Sequence, residues 1–135
     1  MKLLFQLLRA VLGPVLLLKE RLTAPTGIVR TVAEQARVDA ECADLALYQF
    51  RTCPFCIKVR QQMRRLSLSV TLLDAQHSAA NRQALQSGGG STKVPCLRIS
   101  AADGSVRYLY ESKSINQYLQ QRFGATSGTP LSAPL

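Results

Sequence analysis

Apolar and polar positions divide the chain into a long apolar stretch at the N-terminus and a later region of short alternating segments. Residues 3–18 are almost wholly apolar and predict one helix. Residues 31–44 are charged, and Val32, Ala36 and Ala40 recur at helical spacing, which predicts a short exposed helix. Further along, short and largely apolar runs alternate with amphipathic stretches. The pattern predicts four regions: an apolar helix at 1–22, a linker and short helix at 23–44, a compact domain at 45–123 and a flexible tail at 124–135.

The segments of the compact domain follow the order strand, helix, strand, helix, hairpin and helix. Strands are predicted at 45–50, 68–73, 94–99 and 106–110, and helices at 54–66, 79–87 and 112–123. The Asp103-Gly104 pair is typical of a hairpin turn, and Ser112 is a residue type that caps a helix. Because a helix joins the first two strands by a right-handed crossover, these strands should be parallel. We therefore expect an α/β fold, with a mixed four-stranded sheet flanked by helices and an extra apolar helix at the N-terminus.

Polar residues of the N-terminal stretch fall on one narrow side of the predicted helix. Lys2, Gln6, Arg9 and Gly13 form this stripe, and apolar residues occupy the rest of the surface. Residues 3–18 would extend roughly 24 Å, less than the ~30 Å hydrocarbon core of a bilayer. The pattern fits a helix in a membrane interface, one docked on a partner protein, or one packed on its own domain. It favours a membrane surface, reached through residues 1–22, as a partner.

Basic residues are concentrated in the second part of the chain. The net charge is +9, and residues 45–135 carry eleven basic residues against three acidic ones, a net of +8. This segment should attract anions, whether a small acidic thiol, acidic protein surfaces, nucleic acid or anionic lipid. Four basic residues are predicted on the outer face of one helix: Lys58, Arg60, Arg64 and Arg65. With little aromatic interleaving to stack bases, we interpret that face as a solvated surface and expect no nucleic-acid partner.

Two of the four cysteines form a close pair between a predicted strand and a predicted helix, in the motif Cys53-Pro54-Phe55-Cys56. Unpaired backbone N–H groups and the helix dipole would stabilise a thiolate on Cys53, and Pro54 suits the first helical position because it has no N–H to lose. Cys56, one turn later on the same face, would reach a disulfide formed on Cys53. The spacing therefore indicates redox chemistry.

The other candidate ligands are scattered along the chain. Cys42 stands alone, Cys96 is interpreted as a small buried core residue, and His77 as an exposed residue near a helix start. A structural zinc site would need four ligands, so no metal is expected.

Three motifs resemble those of known families. The segment Thr52–Cys56 resembles the glutaredoxin active-site motif, and Val94-Pro95 resembles the Val-Pro of that family, whose proline is cis. Tyr110-Glu111-Ser112 is similar to the Glu-Ser motif of the glutathione S-transferase N-terminal domain. The stretch Tyr48–Cys56 with 93–95 is also similar to the glutaredoxin-like domain of membrane-associated prostaglandin E synthase type two. The resemblance covers about residues 45–123 and implies a thioredoxin-like (glutaredoxin) fold.

The resemblance also implies a role for each matching residue. Cys53 would be the nucleophile that carries a glutathionyl mixed disulfide, and Cys56 would resolve dithiol reactions. Val94, presented by Pro95, would pair with the cysteinyl part of glutathione through its backbone. The full glutathione-binding set it implies is Arg51, Phe55, Lys93, Val94, Pro95, Glu111 and Ser112. Glu111 and Ser112 would hold the γ-glutamyl end, and Arg51 or Lys93 would attract the glycyl carboxylate.

These motifs predict a glutathione-dependent thiol–disulfide oxidoreductase of the glutaredoxin type. Glutathione would be its co-substrate, and glutathionylated or disulfide-bonded proteins its partners. For an apolar stretch that spans the membrane, the cations that follow it favour a cytoplasmic domain, and we expect this domain at the inner face of the cell membrane. The alternatives from other classes are a module that holds glutathione, an iron–sulfur cluster or haem without turnover, and a membrane-tethered adaptor.

Overall fold

The structure, a computed structural model, describes residues 2–124 of the chain. Within these residues it contains five helices and four strands. In chain order they are α1 (Lys2–Leu22), α2 (Val32–Cys42), β1 (Leu45–Gln49), α3 (Pro54–Arg65), β2 (Thr71–Asp74), α4 (Ala79–Gly89), β3 (Cys96–Ser100), β4 (Val106–Tyr110) and α5 (Ser112–Phe123). Except for Gly124, the predicted tail at 124–135 lies outside the described residues.

The four strands form one mixed sheet in the order β2-β1-β3-β4. β1 pairs in parallel with β2, to which α3 connects it, and in antiparallel fashion with β3. β3 and β4 form the predicted hairpin. This order and these directions confirm the predicted fold class, a thioredoxin-like α/β fold with an additional N-terminal helix.

The sheet separates two apolar cores, because alternate residues of its central strands point to opposite faces. Leu45 and Leu47 of β1 pack on one face against α2, α3 and α5. Tyr48 and Cys96 lie on the other face with Leu85 of α4. All five residues of β1 are therefore buried. This packing holds the start of α3 against the carboxyl end of β1.

Two strands begin later than predicted. β2 starts at Thr71: Ser67 adopts a positive φ of 54° after α3, and residues 68–70 that follow it are not paired with β1. β3 starts at Cys96, directly after Pro95, which has no N–H to donate to a strand ladder. In both places the apolar pattern extends the predicted strand over residues that precede it, 68–70 and 94–95.

The helix α2 forms, and the three residues whose spacing predicts it lie on its exposed side. Its buried residues are Val38 and Cys42, whereas Val32 is 89% exposed and Ala36 and Ala40 are also exposed. An alanine offers little apolar area, so burial of the valine and cysteine one turn apart outweighs the alanine spacing.

The N-terminal helix α1 packs on the domain through its second half, around Gly13 and Glu20. Its buried residues are Gly13 and Glu20, and its leucines and valines point largely away. The Glu20 carboxylate accepts two hydrogen bonds from the Arg60 guanidinium, at 2.7 and 3.0 Å. Among residues 2–124, no helix has the length and apolar character needed to cross a membrane.

The prediction that Arg60 belongs to a solvated helix face is wrong. Arg60 is 9% exposed, while its three predicted companions, Lys58, Arg64 and Arg65, are exposed. The reason lies 40 residues earlier in the chain, because Glu20 supplies the buried counter-charge that a buried guanidinium needs.

Candidate redox site

The first cysteine of the pair lies where β1 leads into α3. A turn brings the N–H of Cys53 to the carbonyl of Phe50 at 3.3 Å, and the helix begins at Pro54. Cys53 is the N-cap residue, with an extended backbone (φ −76°, ψ 126°), and its half-buried side chain makes no capping hydrogen bond. Its sulfur is therefore available for chemistry at the positive end of the helix dipole, where a thiolate is stabilised.

The second cysteine has a different environment one turn later. Cys56 is fully buried, and its sulfur accepts a hydrogen bond from the backbone N–H of Phe50 at 3.5 Å. Burial raises the pKa of the Cys56 thiol to about 12, and the charge and hydrogen bond of neighbouring Cys53 act in the same direction. The two thiols therefore differ: Cys53 is accessible to a substrate, and Cys56 keeps its proton until a reaction draws it away.

A cleft of about 630 Å³ reaches Phe55, which lies between the two cysteines in the sequence, although neither Cys53 nor Cys56 lines it. Its walls come from Phe55 of α3, the end of α4, the segment before β3 and the junction of β4 with α5. Six of the seven residues implied to bind glutathione line this cleft: Phe55, Lys93, Val94, Pro95, Glu111 and Ser112. The Val94–Pro95 peptide bond is cis, as the resemblance implies. The seventh residue, Arg51, lines a different cleft, beside α1.

The cleft also contains residues to which the sequence pattern assigns no binding role: Gly89, Gly90, Ser91, Tyr110 and Lys113. The Tyr110 hydroxyl donates a hydrogen bond to the Ser91 carbonyl at 2.9 Å, which ties β4 to the segment after α4. A Cβ on Gly89 would overlap that hydroxyl, so only glycine lets α4 approach β4 this closely. In the sequence, only the glycine run at 88–90 points to this part of the cleft. It predicts the end of a helix, but it does not predict the contact with Tyr110.

Glu111 joins β4 to α5 in a strained backbone conformation, with φ 74° and ψ 125°. It is the N-cap of α5, so Ser112, predicted to cap this helix, is instead its first residue. Serine is preferred at the N-cap, but the sharp turn from β4 to α5 gives Glu111, one residue earlier, the non-helical backbone angles of the cap. Glu111 makes no capping hydrogen bond through its side chain, and it is exposed at the cleft. Strain at an acidic residue that lines a cleft is typical of a binding function.

Replacing Glu111 with glycine should stabilise the fold and, on the role that the resemblance implies for Glu111, weaken binding of glutathione. Glycine adopts a positive φ without penalty, so the free energy of unfolding should rise by about 1 kcal/mol. Loss of a charged hydrogen-bond partner should lower the affinity for glutathione by about tenfold. Urea unfolding and calorimetric titration with glutathione measure the two effects. Glu111→Gln keeps the strain and should lose only affinity; equal stability of the two variants would contradict the strain argument.

The remaining cysteines belong to the apolar cores. Cys96 is fully buried, as predicted, and a hydrogen bond links it to Tyr110. Burial raises the pKa of the Cys96 thiol to about 11, and it also raises the pKa of Cys42. His77 is exposed and bonds to Asp74. In the part of the chain that the structure describes, no three His, Cys, Asp or Glu side chains are grouped to hold a metal ion.

The buried thiols predict a loss of stability at alkaline pH. Burial raises the pKa of Cys56 to about 12 and of Cys96 to about 11, from 9.0 in both cases. The unfolded chain releases these protons near pH 9, whereas the folded protein retains them, so this stabilisation is complete below pH 9 and is lost as the pH rises towards 12. Urea unfolding as a function of pH measures the effect. Cys96→Ala should show a shallower alkaline decline; an unchanged slope would exclude Cys96 as a contributor.

Comparison with known proteins identifies the family. A family model described as glutathione S-transferase, N-terminal domain, matches residues 47–127. No curated protein sequence matches the chain. Among solved structures, the chain is similar to a maleylacetoacetate isomerase from Anaeromyxobacter dehalogenans 2CP-1, with 20% identity and a TM-score of 0.47 over 65% of this chain and 40% of that one. It is also similar to glutaredoxin 2 from Chlamydomonas reinhardtii, with 19% identity and a TM-score of 0.45 over 72% and 99% of the two chains.

The isomerase is much longer than the part of it that this chain matches. The chain covers about 40% of the length of the isomerase that it resembles, which is described with dicarboxyethyl glutathione and citrate bound in its active site. The family match, in contrast, covers more than half of this chain. It includes the cysteine pair, the cis-proline and the Glu111-Ser112 junction. The chain therefore belongs to the glutathione S-transferase N-terminal domain family, and its fold is thioredoxin-like.

Proposed function

We propose that this protein is a glutathione-dependent thiol–disulfide oxidoreductase that uses Cys53 and Cys56. The observation that carries the proposal is the position of Cys53, half-buried at the N-terminus of α3, next to a cleft that brings together Pro95 and Glu111. A helix N-terminus supplies the thiolate, and the cleft supplies a binding site for the thiol peptide that must arrive and leave.

In the first step, the Cys53 thiolate attacks the glutathione sulfur of a mixed disulfide. A Cys53–glutathione disulfide forms, the original S–S bond breaks, and the substrate sulfur leaves as a thiolate that takes a proton from water. The thiolate of a second glutathione then attacks the glutathione sulfur held on Cys53. Glutathione disulfide leaves, and the Cys53 thiolate is restored.

Substrates with a disulfide between two protein cysteines require the second thiol. Once Cys53 has formed a mixed disulfide with one substrate sulfur, Cys56 attacks the sulfur of Cys53, the bond between Cys53 and the substrate breaks, and the proton of Cys56 passes to the departing substrate sulfur. The substrate leaves with both of its sulfurs reduced, and a Cys53–Cys56 disulfide remains. Two glutathione molecules reduce that disulfide again, so glutathione is the source of electrons in both reactions. Such a cycle needs a reducing glutathione pool, which places it in the cytoplasm.

The cleft suits the chemical groups of glutathione. Glu111 would bind the α-ammonium group, and the backbone N–H groups at the start of α5 would bind the adjacent carboxylate. The backbone of Val94 would pair with the cysteinyl part. Lys93 lines the same cleft and would bind the glycyl carboxylate, whereas Arg51 lies in the other cleft. The proposal therefore assigns this last role to Lys93 in preference to Arg51.

A coupled assay tests the proposed function. The full chain is mixed with glutathione, glutathione reductase, NADPH and a peptide disulfide-linked to glutathione, and NADPH consumption is followed. Turnover well above the uncatalysed exchange is the expected result. Absence of turnover by folded protein whose Cys53 reacts with a thiol reagent would contradict the proposal.

A further inference from the structure

Helix α1 presents its apolar face to the outside of the molecule. Ten large apolar residues of this helix are between 44% and 76% exposed: Leu3, Leu4, Phe5, Leu7, Leu8, Val11, Leu12, Val15, Leu18 and Leu22. The helix of 21 residues extends roughly 30 Å, so this is a long continuous surface. Apolar patches of this kind mark interaction sites, because exposure of so many apolar side chains to water is unfavourable.

The opposite side of α1 is committed to its own domain. Gly13 is buried close to Thr52, where a Cβ would lie 3.4 Å from the threonine methyl carbon. Glu20 is 5% exposed and bonded to Arg60. Turning the helix to bury its leucines would expose this pair and leave Arg60 without its counter-charge. The outward apolar face is therefore a consequence of the packing, and it is free for a partner.

The shape of the helix surface fits a flat apolar partner. Each residue from Lys2 to Leu12 is exposed, so the first three turns extend past the domain with apolar side chains on most of their circumference. Three helical turns on their own are marginally stable in water. Their apolar side chains therefore need a partner that covers more than one side of the helix. A bilayer interface covers such a helix along its whole length, whereas a protein groove contacts one stripe only.

Charge decides between a membrane and a second copy of the chain. Lys19 and Arg21 flank the apolar face on its two sides at 100° per residue, where long basic side chains reach lipid headgroups. A second cleft, of about 650 Å³, continues the surface and sets Arg21, Arg51 and Arg64 beside Leu17 and Leu18; it also contains Glu20, whose carboxylate is paired with Arg60.

Guanidinium groups next to leucines suit a lipid phosphate with its acyl chains. The whole chain carries a charge of +9, so a second copy would be repelled where an anionic surface is attracted.

We infer that α1 lies in the interface of an anionic lipid bilayer, with its outward apolar face in the acyl region and its flanking cations at the headgroups. Because Gly13 contacts Thr52, the neighbouring Cys53 would be held within about one helix diameter, ~10 Å, of the membrane surface. The inference does not depend on the proposed redox chemistry, since it concerns only where the domain is held.

Vesicle binding tests the inference with two variants of identical composition. Val11→Glu with Val15→Glu changes the outward face of α1, where these residues are 62% and 52% exposed. Val29→Glu with Val32→Glu makes the same chemical change at valines that are 88% and 89% exposed outside α1. Full-length proteins are sedimented with vesicles of phosphatidylcholine alone or with phosphatidylglycerol. The unchanged chain and the Val29/Val32 variant should bind the anionic vesicles, and the Val11/Val15 variant should bind at least about tenfold more weakly.

Other outcomes overturn the inference. Equal weakening by both double variants would mean that net charge alone holds the protein on lipid, and absence of binding by the unchanged chain would exclude a lipid surface. If the chain without lipid is a dimer that the Val11/Val15 variant dissociates, the face belongs to a second copy. Melting temperatures of both variants, expected to match the unchanged chain, exclude unfolding as the cause of lost binding.

Discussion

Cys53→Ser should abolish glutathione-coupled turnover, whereas Cys56→Ser should retain most of the turnover of small glutathione mixed disulfides. Only Cys53 is accessible at the helix N-terminus, and every step of the proposed cycle forms or breaks a bond at its sulfur. Cys56 is buried and holds its proton, with a pKa raised to about 12, so it takes part only when a disulfide on Cys53 must be resolved.

Two substrates separate the roles of the cysteines. With a glutathionylated peptide, the Cys53 variant should lose at least about a thousandfold in kcat/KM, because the covalent step has no substitute. With a protein disulfide, both variants should be inactive. Cys42→Ser, a change at a buried thiol in the core on which α3 packs, is the control for general loss of packing. Full loss of peptide turnover in both Cys53→Ser and Cys56→Ser would refute the monothiol route.

Arg60→Gln should lower the free energy of unfolding by about 3 kcal/mol, as expected for a buried ion pair that loses one partner. The Arg60 guanidinium donates to both oxygens of the Glu20 carboxylate, to the side-chain carbonyl of Gln49 at 2.6 Å and to the backbone carbonyl of Arg51 at 2.7 Å. The side chains of Arg60 and Glu20 are only 10% and 5% exposed, so the carboxylate left behind would be largely shielded from solvent and would keep only the more distant Arg64 as a counter-charge.

Arg64→Gln is the matched control, because Arg64 lies on the same helix and faces the same carboxylate. Its nearest contact with Glu20 is 3.8 Å and its side chain is 47% exposed, so the loss should stay below about 1 kcal/mol. Urea unfolding of the two variants measures the difference. Combining Arg60→Gln with Glu20→Gln should recover part of the loss, since no buried charge remains unpaired. Equal effects of Arg60→Gln and Arg64→Gln would show that burial of the pair contributes nothing.

The sequence was sufficient for the parts of the fold that depend on local pattern. The strands β1 and β4, the Asp103-Gly104 turn and the start of α3 at Pro54 are found where period and turn chemistry place them. The cysteine pair is recognised for the same reason, since its meaning depends on a strand before it and a helix after it. Most of the residues implied to bind glutathione line one cleft, because they lie at or next to strand and helix ends.

Features that depend on distant partners could not be read from the sequence. Burial of Arg60 needs Glu20, and Arg51 lines a cleft shared with α1 instead of the one that contains Pro95 and Glu111. The strain at Glu111 arises from the geometry between β4 and α5, which no residue preference announces. The orientation of α1 was left open by a helical wheel, because an apolar majority says nothing about which side finds a specific partner.

The ion pair between α1 and α3 has a practical consequence for truncated forms of the chain. Removal of residues 1–22 would delete an apolar segment, but it would also delete the carboxylate that neutralises Arg60. The shortened protein would keep a guanidinium directed at Gln49 and at the carbonyl just before Thr52, with no anion beside it. Such a form would bind stray anions at this position. A shortened chain made for handling in solution should therefore carry Arg60→Met as well, so that an uncharged side chain of similar length fills the space.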